Sequence, residues 1–153
     1  MSNGDQTRTI CDPIMSGGTF DRALMTRERE PDAPNYTPRI SGMVDLRGGE
    51  APVTLSILKA NRMDPARTDR FTYRPAVPAP GLGYCVTTYE GDGSPLPPFE
   101  GDPLVLPCAG SPQDVLDAYW EALDADNRIS LAVKKVPSTG GPGKIVLRNR
   151  YKS

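Results

Sequence analysis

Prolines interrupt this chain too often for a helical bundle, and they limit its fold more than any other feature. The 153 residues include 17 prolines and 15 glycines, spread along the whole length. Proline removes a backbone donor and biases the preceding residue towards extended geometry. The sequence therefore predicts many turns and short elements, in a single domain (residues 1–153) of the α+β class with largely antiparallel sheets and two main helices.

Histidine is absent from the chain, and its absence excludes more functions than any residue that is present. Catalysis by a Ser-His-Asp or Cys-His arrangement is excluded within this chain, and so is a metal held by histidine. The three cysteines, Cys11, Cys85 and Cys108, form no CxxC pair of the kind that binds zinc. Acid–base chemistry would have to use carboxylates, lysine, tyrosine or cysteine.

Charge and hydropathy indicate where the protein acts. The net charge is −1, and no basic stripe is present to neutralise the phosphates of a duplex. No apolar run is long enough to span a bilayer, and an odd number of cysteines fits reduced thiols. We therefore expect a cytoplasmic protein that binds neither nucleic acid nor membrane.

Capping residues and apolar spacing predict two helices. The first covers residues 13–30, with Thr19 as its N-cap. The second covers residues 112–125, where Ser111 is the cap and an apolar stripe that includes Trp120 faces the core.

Alternating apolar residues predict the strands. Residues 39–46 and 52–60 flank a Gly-Gly turn and should form a β-hairpin. Residues 61–70 read as a polar connector. Further strands are predicted at 71–73, 83–89, 104–106 (buried), 129–133 and 144–150.

Two connecting segments are candidate parts of a binding site. Residues 26–42 carry charged side chains and three prolines between the first helix and the first strand. A connector that holds polar groups rigidly at the mouth of a sheet is common in binding sites, and a solvated loop is the alternative on composition alone. In residues 90–95, glycines would let backbone amides approach a ligand. On composition alone an ordinary turn is the favoured explanation of that loop, since the Lys-Ser/Thr ending of a P-loop is missing.

Several blocks of the sequence, in order, resemble the bacterial IMP cyclohydrolases. Their ordered co-occurrence is more specific than any single motif. Residues 2–7 resemble a block from the middle of the family, so we expect a chain that lacks about the first third of a family member. The resemblance also implies a four-layer α/β/β/α sandwich like that of the N-terminal-nucleophile hydrolases. The blocks are GGTF at 17–20, the 26–42 stretch, LSILK at 55–59, TYEGDGSPLP at 88–97 and NRISL at 127–131.

The resemblance implies ring closure of 5-formamidoimidazole-4-carboxamide ribotide to IMP, with loss of water, in purine biosynthesis. This reaction needs a carboxylate to move a proton and a cation or amide donor to stabilise an oxyanion. It needs no metal, nucleotide or redox cofactor. The small-molecule ribotide is the expected partner, and a homo-oligomer is possible.

The resemblance points to nine candidate site residues in this chain. Glu30 would be the carboxylate, and Arg39 the oxyanion stabiliser or the phosphate ligand. Which of the others bind and which do acid–base chemistry is left open. A non-catalytic ribotide-binding homologue and an inactive fragment are the alternative functions. The expected substrate-binding residues are Asn3, Asp5, Thr7, Asn35, Thr37, Tyr89 and Asp92.

Overall fold

The computed structural model describes residues 1–47 and 52–151. They form two compact units. The first combines Met1–Val77 with Tyr84–Leu104, and the second combines Pro78–Gly83 with the chain from Val105 onward. The single domain and the four layers stay predictions.

The described residues contain short helices and antiparallel strands, which confirms the α+β class. The strands form one three-stranded sheet in the order β1-β2-β3 and two two-stranded sheets, β4-β5 and β6-β7. None of the helices in residues 1–47 and 52–151 is long and apolar enough to cross a lipid bilayer. The helices are α1 (Gln6–Met15), α2 (Phe20–Leu24) and α3 (Pro112–Ala122), and the strands are β1 (Arg39–Val44), β2 (Val53–Ala60), β3 (Thr68–Tyr73), β4 (Leu82–Cys85), β5 (Leu104–Pro107), β6 (Ser130–Lys135) and β7 (Lys144–Asn149).

The predicted hairpin forms the centre of the first unit. β1 and β2 pair antiparallel, with Ser41 opposite Ser56, while the predicted Gly-Gly turn lies outside the described residues. β3 pairs with the other edge of β2 and begins at Thr68. The prediction of a connector over 61–70 was therefore wrong for its last three residues, because pairing with β2 imposes extended geometry on a polar sequence.

Opposite faces of this sheet are covered by different layers. On one face, Leu58 packs in a buried cluster with Ile10 of α1 and Phe20 and Leu24 of α2. Burial of each such side chain contributes about 1.5–3 kcal/mol. Neighbouring residues of a strand point to opposite faces, so Lys59 lies on the other face, where its Nζ donates to the Phe99 carbonyl at 3.0 Å.

The predicted helix over 13–30 was wrong, because two glycines divide it. α1 ends at Met15, and Gly17 has a φ of +83° that a helix cannot continue. α2 is only five residues long and ends at Leu24. Its predicted N-cap is confirmed, since the Thr19 hydroxyl accepts from the Arg22 amide at 3.2 Å.

In the second unit, α3 packs against the β6-β7 hairpin. The predicted start is confirmed by a capping box between Ser111 and Asp114. Trp120 is buried as predicted, at 7 % exposure, and its ring lies beneath the guanidinium group of Arg128 at 4.8 Å. The helix ends at Ala122, earlier than the predicted residue 125, because the backbone becomes extended at Leu123.

The strands β4 and β5 differ from their predictions in length and burial. β4 ends at Cys85, so the predicted strand over 83–89 was too long. β5 was predicted to be buried, yet Leu104 and Val105 are about half exposed, at 46 % and 56 %. Among the described strands, β5 pairs only with β4. Apolar character by itself did not reveal which strands have a covering layer.

Candidate active site

Arg39, the first residue of β1, lies at the centre of a group of charged side chains in the first unit. Its Nη1 lies 2.9 Å from Glu30 Oε1 in an ion pair. The same nitrogen donates to Asp5 Oδ1 at 2.6 Å and to Gln6 Oε1 at 3.1 Å. The Arg39 side chain is only 11 % exposed. The two residues predicted to be catalytic are therefore in direct contact.

A second arginine completes this group. Arg27 pairs with the same Asp5 oxygen that Arg39 contacts. The hydrogen bond from Arg27, together with that from Arg39, lowers the pKa of Asp5 although the carboxylate is largely exposed. We call Asp5, Arg27, Glu30 and Arg39 the arginine–carboxylate cluster.

The cluster retains unused polar atoms that a ligand could engage. Both hydrogens of Arg39 Nη1 are donated to protein acceptors, whereas Nη2 donates none within the described chain. Glu30 Oε2 likewise accepts no hydrogen bond from residues 1–47 or 52–151. The buried Nε atoms of Arg27 and Arg39 also lack acceptors among these residues. Unpaired buried donors are rare in folded proteins, so a site with several is a candidate for ligand binding.

Gln6 is a residue of this site that the sequence did not identify. Its side chain is fully buried, and its Nε2 donates to the Ile40 carbonyl at 3.1 Å and to Ser41 Oγ at 3.3 Å. Because a carbonyl can only accept, the amide must turn its Oε1 towards Arg39. Gln6 therefore holds the Arg39 guanidinium group in place through the hydrogen bond that its Oε1 accepts. The only signal was its place in residues 2–7, the block that resembles the middle of the family.

Asn3 holds the approach to β1. Its Nδ2 donates to the Pro38 carbonyl at 2.9 Å and to Thr88 Oγ1 at 3.2 Å, and its Oδ1 accepts from the Ile40 amide at 2.9 Å and from Gln6 Nε2 at 3.3 Å. Both groups of the amide are thus fully engaged. A substrate that bound to Asn3 would have to displace a protein partner.

Three other predicted residues lie outside these contacts. The Thr7 hydroxyl pairs with that of Ser2. Asn35 Oδ1 accepts from the Leu96 amide at 3.1 Å and so connects residues 26–42 to the residue directly after the 90–95 loop. Asp92 is exposed and has no hydrogen bond or ion pair with any described residue.

Thr37 and Tyr89 contact each other directly, and Thr37 also contacts an aspartate, Asp32, that was not predicted from the sequence. Thr37 Oγ1 lies 2.6 Å from the Tyr89 phenol and donates to the Asp32 carboxylate. The Thr37 amide donates to the other Asp32 oxygen at 2.7 Å, and the Thr37 carbonyl accepts from the Glu30 amide at 3.0 Å. We call Tyr89, Thr37 and Asp32 the Tyr89 chain. It joins the arginine–carboxylate cluster through the backbone of Glu30.

An open groove of about 620 Å³ lies elsewhere in the first unit. It is lined by residues of α1, α2 and the Gly17-Gly18 turn, among them Asp12 and Arg22. None of the nine predicted site residues lines it. The chemistry-bearing side chains are gathered at the start of β1, away from the lining of this groove.

The family model described as IMP cyclohydrolase-like protein matches residues 1–140. The chain belongs to this family. The predicted resemblance is thereby confirmed, and the match spans the arginine–carboxylate cluster and the Tyr89 chain. Neither the curated proteins nor the solved structures contain a match to the chain. Membership in the IMP cyclohydrolase-like family supports a hydrolase-type activity related to purine biosynthesis.

Proposed function

We propose that this chain is an IMP cyclohydrolase, which closes 5-formamidoimidazole-4-carboxamide ribotide to IMP with loss of water. The contact between Glu30 and Arg39 is the observation that carries the proposal. The reaction needs a carboxylate that moves protons and a cation that stabilises a developing oxyanion. These two side chains supply both groups within the segment that matches the family.

The ribotide places little demand on the protein for bringing reactants together. The carboxamide nitrogen and the formyl carbon already sit on one imidazole ring, so the site has only to fix their rotamers. Glu30 Oε2 takes a proton from the carboxamide nitrogen as that nitrogen attacks the formyl carbon. Arg39 Nη2 donates to the formyl oxygen as its negative charge develops, while Asp5 and Gln6 hold Nη1 in place.

Loss of water completes the ring. Protonated Glu30 returns its proton to the oxygen of the tetrahedral intermediate and makes a hydroxyl group. A second proton then moves from the former formamide nitrogen to this hydroxyl, which leaves as water while a carbon–nitrogen double bond forms. The proposed reaction uses no metal or redox cofactor and would take place in the cytoplasm.

Turnover of the formamido-ribotide tests the proposal. We expect the chain to form IMP, and Glu30→Gln to lower kcat by about 10²–10⁴ while the fold is retained. Glu28→Gln is the matched control, because Glu28 is exposed and has no partner among the described residues. Binding of IMP without any turnover would instead support the non-catalytic homologue. Absence of both would contradict the proposed function.

A further inference from the structure

The hydrogen bonds of the Tyr89 chain have a fixed donor-to-acceptor direction. An ionised carboxylate can only accept hydrogen bonds, and the hydrogen bond from the Thr37 hydroxyl lowers the pKa of Asp32 and so keeps it ionised near neutral pH. Asp32 takes the single hydrogen of the Thr37 hydroxyl. Thr37 Oγ1 can then only accept from Tyr89, which lies 2.6 Å away. Tyr89 therefore donates its own hydroxyl hydrogen to Thr37 Oγ1.

We infer that Tyr89 presents a hydrogen-bond acceptor, and no donor, to the substrate, and that Asp32 imposes this polarity through Thr37. The phenol oxygen keeps its lone pairs for a ligand N–H group. Asp32 is a positioning residue in this arrangement, since it acts on the ligand only through Thr37 and Tyr89.

Contacts to its backbone hold Tyr89 in place. Its carbonyl accepts from the Thr87 hydroxyl at 2.8 Å, and its backbone forms a β-bridge with Pro98. At the other end, the hydrogen bond from the Glu30 amide to the Thr37 carbonyl joins the Tyr89 chain to the backbone of the proposed catalytic residue. Tyr89 is only partly buried, and the inference places the ligand between its phenol and the Glu30 carboxylate.

The inference rests on the proposed function for the identity of the N–H group. The carboxamide nitrogen of the ribotide loses one hydrogen during ring closure and keeps the other, which becomes the N1–H of IMP. A residue that only accepts can hold this retained hydrogen from substrate to product. A site of fixed polarity discriminates strongly against a ligand that presents an acceptor there, because two acceptors then face each other.

Two nucleotides that differ in whether N1 is a donor or an acceptor can test the polarity of Tyr89. IMP has a hydrogen on N1, whereas purine riboside 5′-monophosphate has a lone pair at N1 and no donor beside it. We expect the wild-type chain to bind IMP more tightly by about tenfold or more in calorimetric titrations.

Asp32→Asn should reverse the donor-to-acceptor direction of the hydrogen bonds in the Tyr89 chain without moving its side chains. The side-chain carbonyl of the introduced asparagine would stay opposite the Thr37 amide, which now donates to this position at 2.7 Å. The side-chain amide nitrogen would then donate to Thr37 Oγ1, Thr37 to Tyr89, and Tyr89 outward to the ligand. We therefore expect the preference for IMP to fall by about tenfold or more, or to invert in favour of purine riboside 5′-monophosphate.

Thr37→Val provides a second test that keeps the backbone hydrogen bond to Asp32. It frees the phenolic hydrogen of Tyr89, so the two nucleotides should bind within about threefold of each other. Tyr36→Phe is the matched control. It removes a phenol from the same loop, and the Tyr36 ring contacts Arg29 rather than the Tyr89 chain. The preference for IMP should be unchanged in this variant.

The outcomes separate the inference from the proposed function. Equal binding of both nucleotides by the wild-type chain would overturn the assigned polarity of Tyr89 and leave the proposed function intact. A wild-type preference that persists in folded Asp32→Asn, or in folded Thr37→Val, would also overturn it. Failure of both nucleotides to bind would overturn the proposed function, and with it the role given to Tyr89.

Discussion

Gly4 lies so close to the Arg39 guanidinium that a β-carbon on Gly4 would stand 2.8 Å from Arg39 Nη1. The same β-carbon would stand 2.6 Å from Gln6 Oε1. Real β-carbons do not approach other atoms this closely, so the site needs a glycine here for space. Both obstructing atoms are the ends of side chains, which can move without disrupting the backbone.

Gly4→Ala should therefore impair catalysis more than folding. We expect a thermal unfolding midpoint close to that of the wild type and a fall in kcat/KM of about tenfold to a hundredfold, because Arg39 Nη1 must shift. Ribotide turnover and thermal melting measure the two effects. In an Arg39→Ala background, Gly4→Ala should add little, and full additivity would show that the two residues act independently.

Arg39→Ala should lower kcat, because Arg39 Nη2 is proposed to stabilise the negative charge that develops on the formyl oxygen. The loss of a charge-assisted hydrogen bond of about 1.5–3 kcal/mol predicts a fall in kcat of about tenfold to a hundredfold. Arg62→Ala is the control, because Arg62 is exposed and unpartnered within the described chain. Steady-state kinetics separate KM from kcat. A pure increase in KM would instead indicate that Arg39 only binds the ribotide and does not stabilise the transition state.

The lowered pKa of Asp5 predicts that the free energy of unfolding depends on pH. Its folded-state pKa lies below the ordinary value of 3.8, chiefly because of the hydrogen bond from Arg27. The stabilisation from Asp5 is therefore fully present above the unfolded-state pKa and is lost as the pH falls through the lower folded-state value. Denaturant unfolding at a series of pH values should show a smaller acid-induced loss in Asp5→Asn. Identical acid limbs would contradict this contribution.

Trp120→Ala should destabilise the second unit by about 3–5 kcal/mol, since the removed ring is largely buried and leaves a cavity. The ring also contacts the guanidinium groups of Arg128 and Arg148. Tyr151→Ala removes an aromatic ring that is 74 % exposed and should change the free energy of unfolding by less than about 0.5 kcal/mol. Denaturant titration measures both variants. Equal effects would mean that Trp120 is not part of the core.

Local sequence signals predicted the elements that are determined locally. Alternating apolar residues and a capping box sufficed for the β1-β2 hairpin and for the start of α3, since each depends on neighbours in the chain. α1 was missed, because few of its residues are apolar and Pro13 lies inside it. Its buried residue Gln6 is held by partners on β1, more than 30 positions away, which no local pattern records.

Only part of the candidate site was predicted, because some of its contacts join residues that are distant in the sequence. Family resemblance identified Glu30 and Arg39, and the structure places them in contact. Asp32 escaped notice because it reads as one more charge in a charged connector. Its role depends on the turn that brings Thr37 back to it, and on Tyr89, which lies 52 positions beyond Thr37.

The balance of charge in the arginine–carboxylate cluster has a consequence for how a ribotide would arrive. Arg27 and Arg39 are offset by Asp5 and Glu30, so the cluster projects almost no field beyond contact range. A phosphate-bearing ligand would not be steered towards it from a distance. Its association rate should then change little with ionic strength, and selection among ligands would begin only on contact with the cluster.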